Sequence, residues 1–151
     1  MVKEFFIDLI PSFQRPVINL YGMTTLIDTG AVIPTFSLSV ELLKNMFNAK
    51  LIFQNAQIGG FGGNCFGDIY SLENFKVGKL IFDVLEVFVP KNSITKHPFL
   101  LSSTMFSGMD YDFDTINSKF IISLPEKMDF HREFHLKDLK GKLYTQTKMI
   151  L

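Results

Sequence analysis

The triplet Asp28-Thr29-Gly30 is the one place in the chain where residue types and their order indicate chemistry. It directly follows the apolar residues Leu26 and Ile27, so its carboxylate would lie at the end of a hydrophobic strand, on a turn that glycine permits. A carboxylate that is held rigidly, partly desolvated and still reachable suits general acid–base catalysis. Only one such triplet is present, since Asp114-Thr115 is followed by Ile116. A working pair of carboxylates would therefore come from two copies of the chain.

The same triplet also fits a purely structural role, in which the Asp caps a turn that the Gly allows. A second candidate group is glycine-rich and lies at the expected tip of a hairpin; it comprises Gly59, Gly60, Phe61, Gly62 and Gly63. Such a tip can bend, and its backbone can approach a ligand closely, with Phe61 pointing into a cleft. A surface loop with one exposed Phe is an equally good interpretation of this group alone.

Strand signals dominate the elements that would position these residues. β-Branched and aromatic residues between Gly, Pro and Asn predict strands at residues 2–9, 16–21, 24–27, 51–58, 65–72, 79–89, 111–116 and 119–124. Two short helices are expected, one that Ser39 caps and that ends near Asn48, and one that runs from His97 to about Gly108. Many short strands with two short helices predict an all-β sandwich or barrel.

Length and composition are those of one globular domain. A chain of 151 residues, 47% hydrophobic with 17 Phe, is long enough to bury a substantial core. The 15 basic and 15 acidic residues balance, which argues against nucleic acid as a partner. The sequence shows neither a secretory signal nor a membrane-length apolar stretch, and its single cysteine, Cys65, cannot form an intrachain disulfide. We expect a cytoplasmic protein that does not contact membranes.

The order of these features resembles the retropepsin-like aspartic proteases, the single-domain family of retroviral proteases and their bacterial relatives. The likeness spans roughly residues 2–124 and rests on three segments: Leu26 to Ala31, Gly59 to Gly63, and Phe99 to Phe106. Many retropepsins have Gly at the position of Ser102. The resemblance implies a closed β-barrel with two short helices and a flap hairpin, formed by residues 1–125. Residues 126–151 would be a tail that adds a strand to the dimer interface, covers the cleft or packs outside.

The resemblance also implies a mechanism and roles for individual residues. Asp28 of each subunit of a homodimer would share one proton, because two carboxylates about 3 Å apart do not both ionise in this family. A water between them would attack the peptide bond. Thr29 would support the pair by hydrogen bonding across the two-fold axis, and Gly30 and Ala31 would line the substrate site. The glycines Gly59, Gly60, Gly62 and Gly63, with Phe61, would close over an extended peptide.

Other possible sites in the sequence match their patterns poorly. Asp110, Asp112 and Asp114 alternate like the start of a calcium loop, but Ile121 occupies the position of the bidentate Glu. His131 and His135 are four residues apart, as in a zinc-protease helix, but Glu133 does not directly follow the first histidine as that pattern requires, so surface histidines are the better interpretation. Cys65 has no His near it in sequence and suits a small, partly buried side chain better than a nucleophile.

The resemblance therefore implies an aspartic endopeptidase, and we expect it to need no cofactor and no metal. Its catalytic residue would be Asp28, and its partners would be a second copy of the chain and an extended peptide or protein substrate. The alternative is a peptide-binding or dimerisation module that has the same scaffold but does not cleave.

Overall fold

The computed structural model describes residues 3–60, 63–92, 96–124, 133–137 and 143–150, the last two segments as backbone only. The described residues are mostly β-structure, with one α-helix, α1 (Val40–Phe47), and one short 3-10 helix (Ser103–Phe106). The strands are β1 (Lys3–Asp8), β2 (Val17–Leu20), β3 (Met23–Asp28), β4 (Thr35–Phe36), β5 (Lys50–Gly60), β6 (Gly63–Val77), β7 (Leu80–Pro90), β8 (Phe99–Ser102), β9 (Asp110–Asp114), β10 (Lys119–Leu124), β11 (Glu133–Lys137) and β12 (Leu143–Ile150). The expected all-β class is confirmed.

The strands form two sheets. A three-stranded sheet has the order β1-β10-β9, and a nine-stranded sheet has the order β11-β12-β7-β4-β8-β3-β2, with β6 also paired to β7 and β5 paired to β6. Neither sheet closes on itself through the pairings of the described strands, so the expected closed barrel is not found in the single chain. The tail contributes β12, which pairs antiparallel with β7.

Local signals in the sequence explain several of these elements. The hairpin between β2 and β3 turns through Tyr21 and Gly22, both at positive φ, and the Gly22 amide donates a hydrogen bond to the side chain of Asn19. Helix α1 begins after Ser39, whose hydroxyl accepts a hydrogen bond from the Leu42 amide at 3.2 Å. It ends at Asn48, which adopts the left-handed conformation that terminates helices.

The second predicted helix is only partly correct. Residues 99–102 form strand β8, and the chain turns helical only in the 3-10 helix Ser103–Phe106. Strand β8 lies between β3 and β4, parallel to β3 and antiparallel to β4, and all four of its residues are buried. A short apolar run such as Phe-Leu-Leu suits a buried strand as well as a helix, and here the pairing on both sides decides the outcome.

Aromatic side chains fill the centre of the core and join the elements that flank the Asp28 turn. The Phe36 ring lies 4.5 Å from that of Phe99 and 5.2 Å from that of Phe75, measured between centroids. Phe47 of α1 packs on Phe75 at 5.4 Å. Since β4, β6, β8 and α1 each supply one of these rings, the core holds β8, and therefore the neighbouring end of β3, in one position.

The long hairpin of β5 and β6 is joined to β7 through a close backbone approach at Gly67. A Cβ atom at this position would lie 2.3 Å from the Val89 carbonyl oxygen and 2.8 Å from the Phe88 ring. Only glycine fits this contact without moving the backbone. Gly67 therefore helps set how the hairpin leaves the sheet. Among the described residues, no helix has the length and apolar character needed to cross a membrane.

Candidate functional site

Asp28 is the last residue of β3, and its position is set by the neighbouring strand. β3 runs parallel to β8, in a register that places Asp28 beside Ser102. Leu26 and Ile27, which precede the carboxylate, are buried, whereas Asp28 itself is only half-buried. The strand therefore delivers a carboxylate from the core to the surface, as the sequence predicts.

The turn after Asp28 is stabilised by the aspartate itself. The Gly30 amide donates a hydrogen bond to Asp28 Oδ1 at 3.0 Å, and the Ala31 amide donates to the Asp28 carbonyl oxygen at 3.1 Å. One carboxylate oxygen is thus used within the turn. The other carboxylate oxygen, Oδ2, accepts no hydrogen bond from the described residues. It forms an ion pair with Arg15.

A group of hydroxyls ties the far side of the turn to β8 and the 3-10 helix. Ser103 Oγ donates to the Thr29 carbonyl at 2.9 Å, and Thr104 Oγ1 donates to the Val32 carbonyl at 3.2 Å. Since a hydroxyl has one proton, Ser102 Oγ is the donor in its 2.6 Å contact with Thr104 Oγ1. Ser102 is fully buried, so a serine fits this tightly packed position and has its hydroxyl satisfied.

A cavity of about 170 Å³ opens beside the turn. Its lining combines the turn, the segment that follows it and the hairpin strand β5, through Asp28, Gly30, Ala31, Val32, Ile33, Thr35, Ile58 and Gly59. The predicted residues Asp28, Gly30, Ala31 and Gly59 thus meet at one site. Gly60 and Gly63 pair with each other at the end of the hairpin, whereas Phe61 and Gly62 lie outside the described residues.

Thr29 does not line this cavity. Its side chain is exposed at the turn, and its carbonyl oxygen faces the 3-10 helix. Its expected hydrogen bond across a two-fold axis would require a second chain and stays a prediction.

Arg15 is the residue of this site that the sequence interpretation missed. Its Nη2 lies 3.8 Å from Asp28 Oδ2, with the two side chains 63% and 26% exposed. Its position follows from the observed register of the β2–β3 hairpin, since predicted strands at 16–21 and 24–27 would place Val17 opposite Asp28 instead. Val17 pairs with Leu26, and the Ile27 amide donates to the Pro16 carbonyl at 2.9 Å, so the same register places Arg15 opposite Asp28.

Of the alternating aspartates of β9, Asp114 caps the turn that follows the strand. Asp114 accepts hydrogen bonds from the Asn117 side chain and from the amides of Asn117 and Ile116, which hold the pKa of its carboxyl below its usual value. Within the part of the chain that the structure describes, no three His, Cys, Asp or Glu side chains are grouped to hold a metal ion. Glu133 and His135 lie on β11, where only the backbone is described, and His131 is outside the described residues.

Cys65 is a half-buried residue of β6 that packs against the small apolar cluster of Ile33, Ala56, Ile69 and Phe88. Burial raises the pKa of its thiol, which disfavours the thiolate that a nucleophile needs. This agrees with the packing role expected from the sequence.

Glu86 is a buried acidic residue that sequence patterns did not single out. It lies on β7 opposite Ser71, is 6% exposed, and does not line the Asp28 cavity. Burial raises the pKa of its carboxyl from 4.5 to about 7, because the ionised form is poorly solvated there. The folded state therefore binds this proton more tightly than the unfolded state, and the fold loses stability as the pH rises from about 4.5 to about 7.

Replacing Glu86 with Gln should remove this loss. We expect the variant to be more stable than the wild type by about 1 to 3 kcal/mol at pH 8, and close to it at pH 4, where both side chains are neutral. Urea denaturation of both proteins at the two pH values measures the difference. An equal stability difference at pH 4 and pH 8 would show that Glu86 does not titrate in this range.

Comparisons of the chain with protein-family models, with curated proteins and with solved structures found no match. Family membership therefore stays a prediction from the sequence, and the chemistry of the site is argued from its geometry.

Proposed function

We propose that the protein is an aspartic endopeptidase of the retropepsin type that acts as a homodimer. The observation that carries the proposal is the position of Asp28, at the end of a buried strand and on a cavity that Ile58 and Gly59 of the glycine-rich hairpin also line. This arrangement supports a carboxylate that works on a ligand held between the turn and the hairpin. In the dimer the two chains would together complete the closed barrel. The single cysteine fits a reducing compartment, and the proposal places the protein in the cytoplasm.

The need for a second chain follows from the residues around the cavity. Asp28 is the only acidic side chain in its described lining, which otherwise consists of glycine, apolar residues and Thr35. Peptide hydrolysis by carboxylates requires one group to accept a proton and another to donate one. Since a single chain offers one carboxylate here, the other would be Asp28 of a second copy.

The proposed reaction uses a water held between the two carboxyls. As in aspartic proteases generally, the ionised Asp28 takes a proton from this water, whose oxygen attacks the carbonyl carbon of the peptide bond. The protonated Asp28 donates to the carbonyl oxygen. The tetrahedral intermediate then breaks its C–N bond as the carboxyl that took the water proton donates it to the leaving nitrogen, and the other carboxylate takes back the proton that it gave to the carbonyl oxygen. Closure of the hairpin would exclude bulk water from this sequence of steps.

The dependence of rate on protein concentration tests the proposal. We would incubate the protein with a mixture of proteome-derived peptides between pH 4 and 7 and count new peptide ends by mass spectrometry. Below the dimer dissociation constant, the rate should rise with about the square of the protein concentration, because only pairs of chains are active. Analytical ultracentrifugation over the same concentrations should show the matching shift from monomer to dimer.

Two results would contradict the proposal. One is the absence of cleavage from a protein that ultracentrifugation shows to be dimeric. The other is a rate per chain that stays constant while the protein is diluted into the monomeric range.

The second candidate function is a peptide-binding module that does not cleave. The Arg15–Asp28 ion pair favours it, because it compensates the charge of Asp28 within one chain, as a structural pair does. This function predicts a folded protein that binds extended peptides and returns them intact after long incubation at mildly acidic pH.

A further inference from the structure

Arg15 is exposed at the junction of two cavities. Its guanidinium reaches Asp28, which lines the first cavity, and Arg15 itself lines a second one of about 170 Å³. The wall of the second cavity is formed by the loop before β2 and by the β9–β10 hairpin. Its apolar residues are Leu9, Ile10, Pro11, Phe13, Pro16, Val17 and Phe113. A peptide that lies on Asp28 and extends toward this loop would pass the guanidinium.

The position of Arg15 is set by the fold and not by the ion pair alone. The Ile10 amide donates to the Val17 carbonyl at 2.8 Å, and the Ile27 amide donates to the Pro16 carbonyl, so both ends of the loop are tied to the sheet. Phe13 packs edge-on against the ring of His97, with centroids 5.4 Å apart, and His97 contacts Thr24 Oγ1 of β3 at 2.9 Å. The loop therefore presents Arg15 to the site in a defined place.

The charges of the site do not balance in a working dimer. Two Asp28 side chains that share one proton carry one negative charge, whereas two Arg15 side chains carry two positive charges. The described lining of the Asp28 cavity contains no other charged residue. The assembled site would thus have an excess of positive charge next to the place where the peptide is cut.

We propose that Arg15 selects peptides that carry a carboxylate side chain close to the scissile bond. This inference rests on the proposed function, because it assigns a substrate class to the same site. An extended peptide advances about 3.3 Å per residue, so a group 3.8 Å from Asp28 meets a side chain within about two residues of the cut. The guanidinium can bind a carboxylate through two parallel hydrogen bonds, and it repels Lys and Arg at the same positions.

The test compares matched peptides on matched variants of the full chain. The probes are fluorescein-labelled eight-residue peptides of Phe, Val and Ser, each with Glu, Gln or Lys at one position. Binding is measured by fluorescence anisotropy at low salt, and cleavage by mass spectrometry, for the wild type, Arg15→Gln and Arg15→Lys. Lys79→Gln is the control, since it removes one positive charge from the exposed turn between β6 and β7 without touching Asp28.

The wild type and Lys79→Gln should favour the best Glu peptide over its Gln counterpart by about 3- to 10-fold, with the Lys peptide weakest. Arg15→Gln should abolish the preference. Arg15→Lys should retain part of it, because lysine keeps the positive charge but lacks the planar guanidinium that binds a carboxylate through two parallel hydrogen bonds. Raising the salt concentration should reduce the preference. Equal affinity of the wild type for Glu and Gln peptides, or a preference that survives in Arg15→Gln, would overturn the inference.

The two readouts separate this inference from the proposed function. A Glu preference in binding that depends on Arg15, together with intact peptides, would support selection by Arg15 and contradict the endopeptidase. Equal cleavage rates for the Glu, Gln and Lys peptides would support the endopeptidase and contradict selection by Arg15.

Discussion

Replacing Asp28 with Asn is expected to reduce peptide cleavage by at least about 1,000-fold while leaving the dimer folded. Asn cannot take a proton from water, so the general-base step is lost, and such steps contribute typically 100- to 10,000-fold. The amide oxygen of Asn can still accept the hydrogen bond that the Gly30 amide now gives to Asp28 Oδ1. The turn should therefore persist, and the effect should fall on catalysis and not on folding.

The matched control for this variant is Asp110→Asn. Asp110 is an exposed aspartate of β9, outside the linings of both cavities, so its replacement should leave cleavage within about twofold of the wild type. Thermal denaturation and sedimentation of each variant establish that fold and dimer are retained. Cleavage by the purified Asp28→Asn protein at a rate near that of the wild type would refute the assignment of Asp28 as the catalytic residue.

Gly67→Ala is expected to destabilise the protein far more than Gly59→Ala, a substitution of the same kind in the same hairpin. The added methyl group would lie 2.3 Å from the Val89 carbonyl oxygen, a backbone atom that moves only if β7 or β6 shifts. Overpacking of this kind costs about 1 to 3 kcal/mol. A cost near the upper end corresponds to a fall in Tm of roughly 5 to 10 °C for a domain of this size.

Gly59→Ala is the control for that variant, because it adds the same methyl group in the same hairpin. No heavy atom lies within 4 Å of the position that its Cβ would occupy. Calorimetry should find the Tm of Gly59→Ala close to that of the wild type and the Tm of Gly67→Ala clearly lower. If both variants melt together at the wild-type temperature, the hairpin is not positioned by a close approach at Gly67.

The sequence predicted those elements whose signals are local. The cap at Ser39 and the end of α1 at Asn48 are each set by residues within the element, and each was correctly located. The same holds for Asp28 at the end of β3, since an apolar run that stops at a polar turn marks a strand end in any context. The β2–β3 hairpin was also predicted, but strands at 16–21 and 24–27 place its turn at residues 22 and 23, one residue after the observed turn at Tyr21 and Gly22.

Elements whose form depends on distant partners were harder to predict. Residues 99–102 become strand β8 because β3 and β4 pair with them from both sides, information that the four residues do not contain. Glu86 is one of two acidic residues in the otherwise apolar strand β7, and its burial depends on the strands packed around β7. Arg15 belongs to this second group, because it lies opposite Asp28 only in the observed register of the hairpin, whereas a turn at residues 22 and 23 would place Val17 there.

The distance between the two Asp28 carboxyl groups in a crystal structure of the dimer tests the central claim most directly. The account predicts carboxylate oxygens about 3 Å apart, close enough to share one proton and to hold one water. A dimer in which the two carboxylates are separated by more than a single water can bridge, or crystals of a monomer that cleaves peptides in solution, would contradict it.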